Sequence, residues 1–201
     1  MSTDFIPALR FNALTRFYDP VVRVTTRERR VKKALVEAAA APAGGTVLDL
    51  GCGTGTMTRW IKQQHPDARV IGLDADPRIL AIAREKASRA GLEIEFLEAN
   101  ATDIQLQENS VQRLVSSLFF HHLRPDSKAE VLYEVLRVLE AGGELHISDW
   151  GKPSNVLMRT MFLFVQLLDG FACTKDNVAG RLPGFVKAAG ARQVQNYDGY
   201  Y

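Results

Sequence analysis

The sequence predicts an α/β domain, a doubly wound and mostly parallel sheet preceded by a helical N-terminal extension. Three observations predict it. Short apolar runs alternate with stretches of helical periodicity between residues 46 and 148. The first of those runs ends in a glycine-rich turn at residues 51–55. A chain of 201 residues, 46% hydrophobic and 24% charged, suits one globular domain with a sizeable core.

Taken in order, residues 26–41 read as a helix with Val31, Ala34, Leu35 and Ala38 on one face, closed by Pro42 and Gly44-Gly45. Residues 46–50 form a buried strand that runs into glycines. A helix over 56–64 stops before Pro66, and 69–74 is the second strand. The next helix, 77–90, has Pro77 in its first turn and Gly91 beyond its end. Residues 93–97 alternate as a third strand and 113–117 make a fourth. Over 128–139, Val131, Leu132, Val135, Leu136 and Leu139 draw an apolar helical stripe that Gly142-Gly143 breaks. A fifth strand at 144–148, helices at 155–168 and 178–189, and a sixth strand at 191–197 complete the reading. Strand and helix at this spacing imply right-handed crossovers and parallel pairing. The organisation is an extension over 1–44 and one domain over 45–201.

Composition excludes several classes. The balance of 25 basic and 23 acidic side chains gives +2, so nothing demands nucleic acid or a membrane surface as partner. The basic excess within residues 1–40 reads as a solvated helix face. The longest apolar stretch, 156–168, is interrupted by Arg159 and Gln166 and is too short to cross a bilayer. Two cysteines, Cys52 and Cys173, make no disulfide scaffold, and the first ten residues carry no apolar run of a secretory signal; a cytoplasmic location is expected. No metal site is expected: no Cys-x-x-Cys or His-x-x-x-His spacing occurs, and His121-His122, adjacent on extended chain, would point their rings apart.

In doubly wound folds ligands bind beyond the carboxyl ends of the strands. There the run from Val47 to Gly55 is the most informative segment. Gly51, Gly53 and Gly55 let the backbone turn sharply and approach a ligand. A dinucleotide loop reads G-x-G-x-x-G, whereas here the spacing is G-x-G-x-G and Thr56 stands where the third glycine would fall. Asp49, two residues before Gly51, is poorly suited to a diphosphate and well suited to an ammonium group. Asp74 closes the second strand, where a carboxylate can accept from a ribose diol; Asp76 fits better as the cap of the following helix.

With these motifs the sequence resembles the class I, Rossmann-like S-adenosylmethionine-dependent methyltransferases. The resemblance covers roughly residues 45–150 and makes 45–201 the cofactor-binding domain. It implies that Gly51, Gly53 and Thr54 lie along the methionine part with Asp49 as a nearby polar anchor, that Asp74 takes the ribose with Ala75 next to it among the cofactor-binding residues, and that Asn100 and Ala101 meet the adenine. Ser117 aligns with the position that contacts the methionine end. S-adenosyl-L-methionine is the implied cofactor, a small molecule the implied acceptor, and in-line displacement at the sulfonium methyl the implied reaction. Tyr18-Asp19 and the run from Asp149 to Pro153 are similar to the ubiquinone/menaquinone-biosynthesis group, although that group's downstream His and Trp are absent from residues 20–33.

His121 and His122 open onto the reaction face and are candidates for a general base, or equally for packing histidines among Phe119, Phe120 and Leu123. Asp149 and Trp150 are candidates for the acceptor side. Two other readings stay open: a non-catalytic S-adenosylmethionine-binding or partner-subunit protein, and an NAD-dependent oxidoreductase, which the missing third glycine disfavours.

Overall fold

The computed structural model describes residues 28–153, 156, 159, 160, 162, 163, 166 and 170–196. The chain runs α1 (Glu28–Ala39), β1 (Thr46–Leu50), α2 (Thr56–Gln64), β2 (Arg69–Asp74), α3 (Pro77–Arg89), β3 (Glu95–Glu98) and β4 (Val111–Ser117). After a 3₁₀ turn (Phe120–His122) come α4 (Pro125–Val138), β5 (Leu139–Ser148), α5 (Phe171–Val178) and α6 (Leu182–Ala188). The five strands form one sheet of order β3-β2-β1-β4-β5, and every pairing is parallel. The order reverses between β1 and β4, which creates the crevice where such sheets take ligands.

Side chains alternate across a strand, and this sorts the core into two faces. Leu48 and Leu50 of β1 pack with Ile71, Leu73 and Leu114 beneath Val131, Leu132, Val135 and Val138 of α4. Val47 turns the other way, with Val70 and Val115, toward Met57 and Ile61 of α2 and Leu35, Val36 and Ala39 of α1. Within the 1–44 segment, α1 is therefore packed onto the sheet. Burying a side chain of this size stabilises by about 1.5–3 kcal/mol.

Local chemistry sets the helix starts. Asp76 caps α3 by accepting from the Arg78 N–H at 2.9 Å, with Pro77 following. Pro125 opens α4 three residues ahead of the expected start. Gly55, left-handed at φ 70°, precedes α2.

Several sequence expectations are corrected. The helix expected over 178–189 begins late, as α6 at Leu182, because left-handed Gly180 (φ 67°) keeps the chain out of helix before Pro183 starts it again, and α5, which ends at Val178, lies where no helix was expected. The sixth strand expected at 191–197 is not formed over 191–196, where Ala191 and Val194 are the sole apolar residues and neither is buried. Gly142-Gly143 was expected to end a helix, yet both lie inside β5 as a bulge. The register jumps there, from Val111 opposite Leu139 to Arg113 opposite Glu144. The described residues within 155–168 are helical, and there Phe162 is buried while Val156 and Leu163 are exposed. Tyr18-Asp19 and the last residue of the expected sixth strand, Tyr197, lie outside the described residues.

Candidate functional site

The glycine loop leaves β1 at the crevice. Gly51, Gly53 and Gly55 all adopt left-handed φ, at 69°, 55° and 70°. They do so for different reasons. A Cβ on Gly51 would lie 2.5 Å from Cδ2 of Phe119, and one on Gly55 would lie 3.0 Å from the Cβ of Ala83. Around Gly53 nothing lies within 4 Å, so the loop's middle faces open space. The Cys52 N–H donates to Leu73 O at 2.9 Å and the Gly53 N–H to Asp74 Oδ2 at 2.9 Å, which ties the loop to β2. Asp74 Oδ1 accepts from the Asp76 N–H, so each oxygen holds one backbone donor and keeps further acceptor capacity. Burial, with Asp49 and Asp74 nearby, pushes the Cys52 thiol far above its ordinary value, and it stays protonated.

Asp49 shares the face of Val47 and so points toward α2, where Thr58 Oγ1 donates to its Oδ2 at 2.6 Å. Its other oxygen is buried and has no hydrogen-bond partner. Burial raises this carboxyl to about 6 despite the Thr58 bond and the positive charge of Lys32. Thr58 escaped sequence reasoning because a Thr in a helix's first turn reads as ordinary; only the strand's alternation could have flagged it. Beyond β3, Asn100 Oδ1 accepts from the Thr102 N–H at 3.1 Å, and Ala101 turns its side chain into the core. Ser117, last in β4, has a buried Oγ without a hydrogen-bond partner. Asp49, Gly51, Gly53, Thr54, Asp74, Ala75, Asn100, Ala101 and Ser117 all stand at the carboxyl ends of β1 to β4 or in the loops leaving them.

The chain leaves β4 through Leu118, a non-glycine residue at φ 55°, and enters the 3₁₀ turn. This corrects the expectation for His121 and His122. They are not on extended chain, and their ring centroids are 4.0 Å apart at 41°. Asp149, just past β5, fixes the first of them: its Oδ1 is 2.7 Å from His121 Nδ1 and its Oδ2 accepts from the His121 N–H at 3.1 Å. Trp150 N–H donates to the same carboxylate at 2.7 Å. Burial works to raise Asp149, yet the His121 imidazole and these N–H donors hold it below the ordinary carboxylate value. An ionised carboxylate only accepts, so Nδ1 carries the proton and the basic lone pair falls on Nε2. Burial and His121 push His122 down to about 3, so it is neutral. Trp150 packs edge-on against Phe162 at 5.3 Å, and Asn177 Nδ2 of α5 donates to Trp150 O at 3.0 Å. Asn177 was not a sequence candidate, since the sequence reading assigns residues 169–177 to no element, whereas they include α5. Among the described residues no group of three or more His, Cys, Asp or Glu is placed to hold a metal ion, and no helix is long and apolar enough to cross a membrane.

A parallel sheet reversing beside a glycine loop, with an acid ending its second strand, defines an α/β domain built to take a nucleoside-bearing ligand. Comparison with known proteins sharpens the class. Residues 47–143 match the family model for a methyltransferase domain. The chain is 33% identical over 145 residues to the demethylmenaquinone methyltransferase of Thermus thermophilus, covering 71% of this chain and 65% of the relative. It is 28% identical over 158 residues to a ubiquinone/menaquinone biosynthesis C-methyltransferase of Desulfotalea psychrophila, covering 78% and 61%. Among solved structures, phosphoethanolamine N-methyltransferase 2 of Haemonchus contortus, in complex with S-adenosyl-L-methionine, shares the fold with a TM-score of 0.66 at 19% identity, over 80% of this chain and 36% of that one. The chain carries a class I, Rossmann-like methyltransferase domain and resembles the ubiquinone/menaquinone-biosynthesis group. It spans 60–65% of the length of these and two further curated relatives of the same kind.

Proposed function

We propose that this chain transfers a methyl group from S-adenosyl-L-methionine to a small-molecule acceptor. The observation that carries the reading is the glycine loop bonded to the β2 acid: the Gly53 N–H on Asp74 Oδ2, beside open space at the switch point. The residues present fit the cofactor. Asp49 and Ser117 each hold a buried oxygen with no hydrogen-bond partner, an acceptor and a hydroxyl suited to a zwitterionic amino acid. Gly51, Gly53, Thr54 and Ser117 line the methionyl half, and Asp49 offers its carboxylate to the ammonium. Asp74 and Ala75 take the ribose diol, and Asn100 and Ala101 meet the adenine.

Bound S-adenosyl-L-methionine supplies a methyl carbon already activated by a sulfonium leaving group. The chain's own work is to hold the acceptor in line and to exclude water. Of the two histidines, His121 is the general base. Asp149 orients its ring and balances the charge it gains on taking a proton. His122, pushed down to about 3, is too weak a base for that task and lines the site against His121. Trp150, edge-on to both His121 and Phe162, sets aromatic surface beside the base, which with the names of the relatives makes a quinol precursor the first acceptor to try. A cytoplasmic setting goes with this reading and with Cys52 and Cys173, both free thiols.

Calorimetric titration tests the cofactor. Saturable binding of S-adenosyl-L-methionine is expected, none of NAD, and Asp74→Ala should weaken the affinity by about tenfold or more, the worth of charge-assisted hydrogen bonds. Binding of NAD alone would overturn the reading.

A further inference from the structure

Two side chains of α4 that the reading above does not use hold the segment following β3. Glu134 and Arg137, one turn apart, pair through Arg137 Nε on Glu134 Oε1 at 2.7 Å and Nη2 on Oε2 at 2.8 Å. The pair then reaches the backbone of the segment. The Ile104 N–H donates to Glu134 Oε2 at 2.9 Å, while Arg137 Nη2 donates to Ile104 O at 2.7 Å and Nη1 to Leu106 O at 3.0 Å. Residues 99–106 form no strand or helix, so their peptide groups have no ladder to join, and these bonds stand in for one. Just upstream, the turn at 100–103 is closed by the Asp103 N–H on Asn100 O and by Thr102 N–H on Asn100 Oδ1. Ala101 and Ile104 anchor the same stretch by burial in the core under α4.

An exposed ion pair would contribute little. This one is mostly buried, with side chains 13% and 23% exposed, and its remaining hydrogen-bond capacity goes to fixing a loop. The rigid guanidinium fork can hold two carbonyls at once; a lysine ammonium lacks that planar two-point grip.

We infer that Glu134 and Arg137 are positioning residues for the adenine of the cofactor, setting Asn100 and Ala101 in place from outside the site without touching the ligand. This rests on the assignment of Asn100 and Ala101 to the base. The probes are S-adenosylhomocysteine and S-inosylhomocysteine, which differ only at the purine edge. The wild-type chain should prefer the adenosyl compound. Arg137→Met should weaken adenosyl binding by about tenfold, leave inosyl binding almost unchanged and so erase the preference; Arg137→Lys should restore part of it. Glu134→Gln, which keeps an acceptor for the Ile104 N–H, is the gentler second variant, and thermal melts check that each protein is folded. Equal losses for both ligands, or an unchanged preference in folded variants, would overturn the positioning role. A wild-type chain that binds both compounds equally, or neither, would instead strike the adenine assignment, and the inference with it.

Discussion

Asp49 shows what one residue at the switch point costs the fold. Its carboxyl is buried, with one oxygen bonded to Thr58 and the other without a hydrogen-bond partner, and burial raises it from 3.8 to about 6. A raised carboxyl favours the protonated folded state. Its contribution to stability is therefore full below pH 3.8 and is lost as pH rises through about 6. The loss is on the order of 3 kcal/mol at 1.36 kcal/mol per pH unit. Asp49→Asn removes the charge and keeps an oxygen for Thr58. Urea denaturation should show the variant gaining on the wild type by about 2–3 kcal/mol between pH 4 and pH 7, while calorimetry shows weaker S-adenosyl-L-methionine binding. Parallel stability curves would refute the assignment of cost to this group. The acid itself was legible in sequence, since it stands two residues before the first glycine. Its partner was not, because Thr58 is brought to it by the packing of α2 on the sheet, a contact that no local pattern encodes. The same holds for Asp149, distant in sequence from His121 and joined to it only because β4 and β5 are neighbours.

At the scale of elements, the glycine loop separates two demands that look alike in sequence. Gly51 and Gly53 share a left-handed backbone, but only Gly51 lacks room for a side chain. Gly53→Ala should cost about 1–2 kcal/mol, the backbone strain alone, and should impair cofactor binding out of proportion. Gly51→Ala adds an overlap with Phe119 and should cost about 2–4 kcal/mol. Denaturation and calorimetry on the two variants measure both effects; equal destabilisation would remove the distinction. Elements bounded by strong local signals were legible to within a residue or two: β1 and α2 on either side of the loop, β2 ending in Asp74, α3 between Pro77 and Gly91. Elements whose limits are tertiary were not. Gly142-Gly143 reads as a helix breaker, yet α4 has already ended at Val138 and the glycines sit in a bulge that β4 accommodates. The turn at 120–122 follows a left-handed Leu118, and no residue preference announces a leucine there.

Over the whole molecule, the sheet and its α4 face define the crevice; α6 packs on that core through Leu182, Phe185 and Val186, while α5 is tied to it by buried polar groups. Lys128 is fully buried in α4, donates from Nζ to Cys173 O at 2.7 Å and lies 3.7 Å from Asp176 Oδ2. Burial lowers its pKa, and the nearby carboxylates of Asp176 and Asp149 oppose that shift. Arg181 approaches the other oxygen of Asp176 at 3.6 Å, and Asn177 on the same helix reaches Trp150 beside Asp149. The attachment of α5 thus ends at the carboxylate that orients His121. Such a tie is asymmetric. Replacing a buried pair by apolar groups is often close to neutral, whereas removing one partner strands the other and costs about 3–5 kcal/mol. Lys128→Ala should therefore destabilise the protein by that amount, and hydrogen exchange should show lost protection first in 171–178, with amides of β1 and β2 still protected. Lys128→Met combined with Asp176→Asn should recover most of the loss, because neither charge is then left alone. If the double variant is no more stable than Lys128→Ala, the attachment lies in apolar packing of Leu182, Phe185 and Val186 on the α4 face, and the buried lysine contributes only its bond to Cys173.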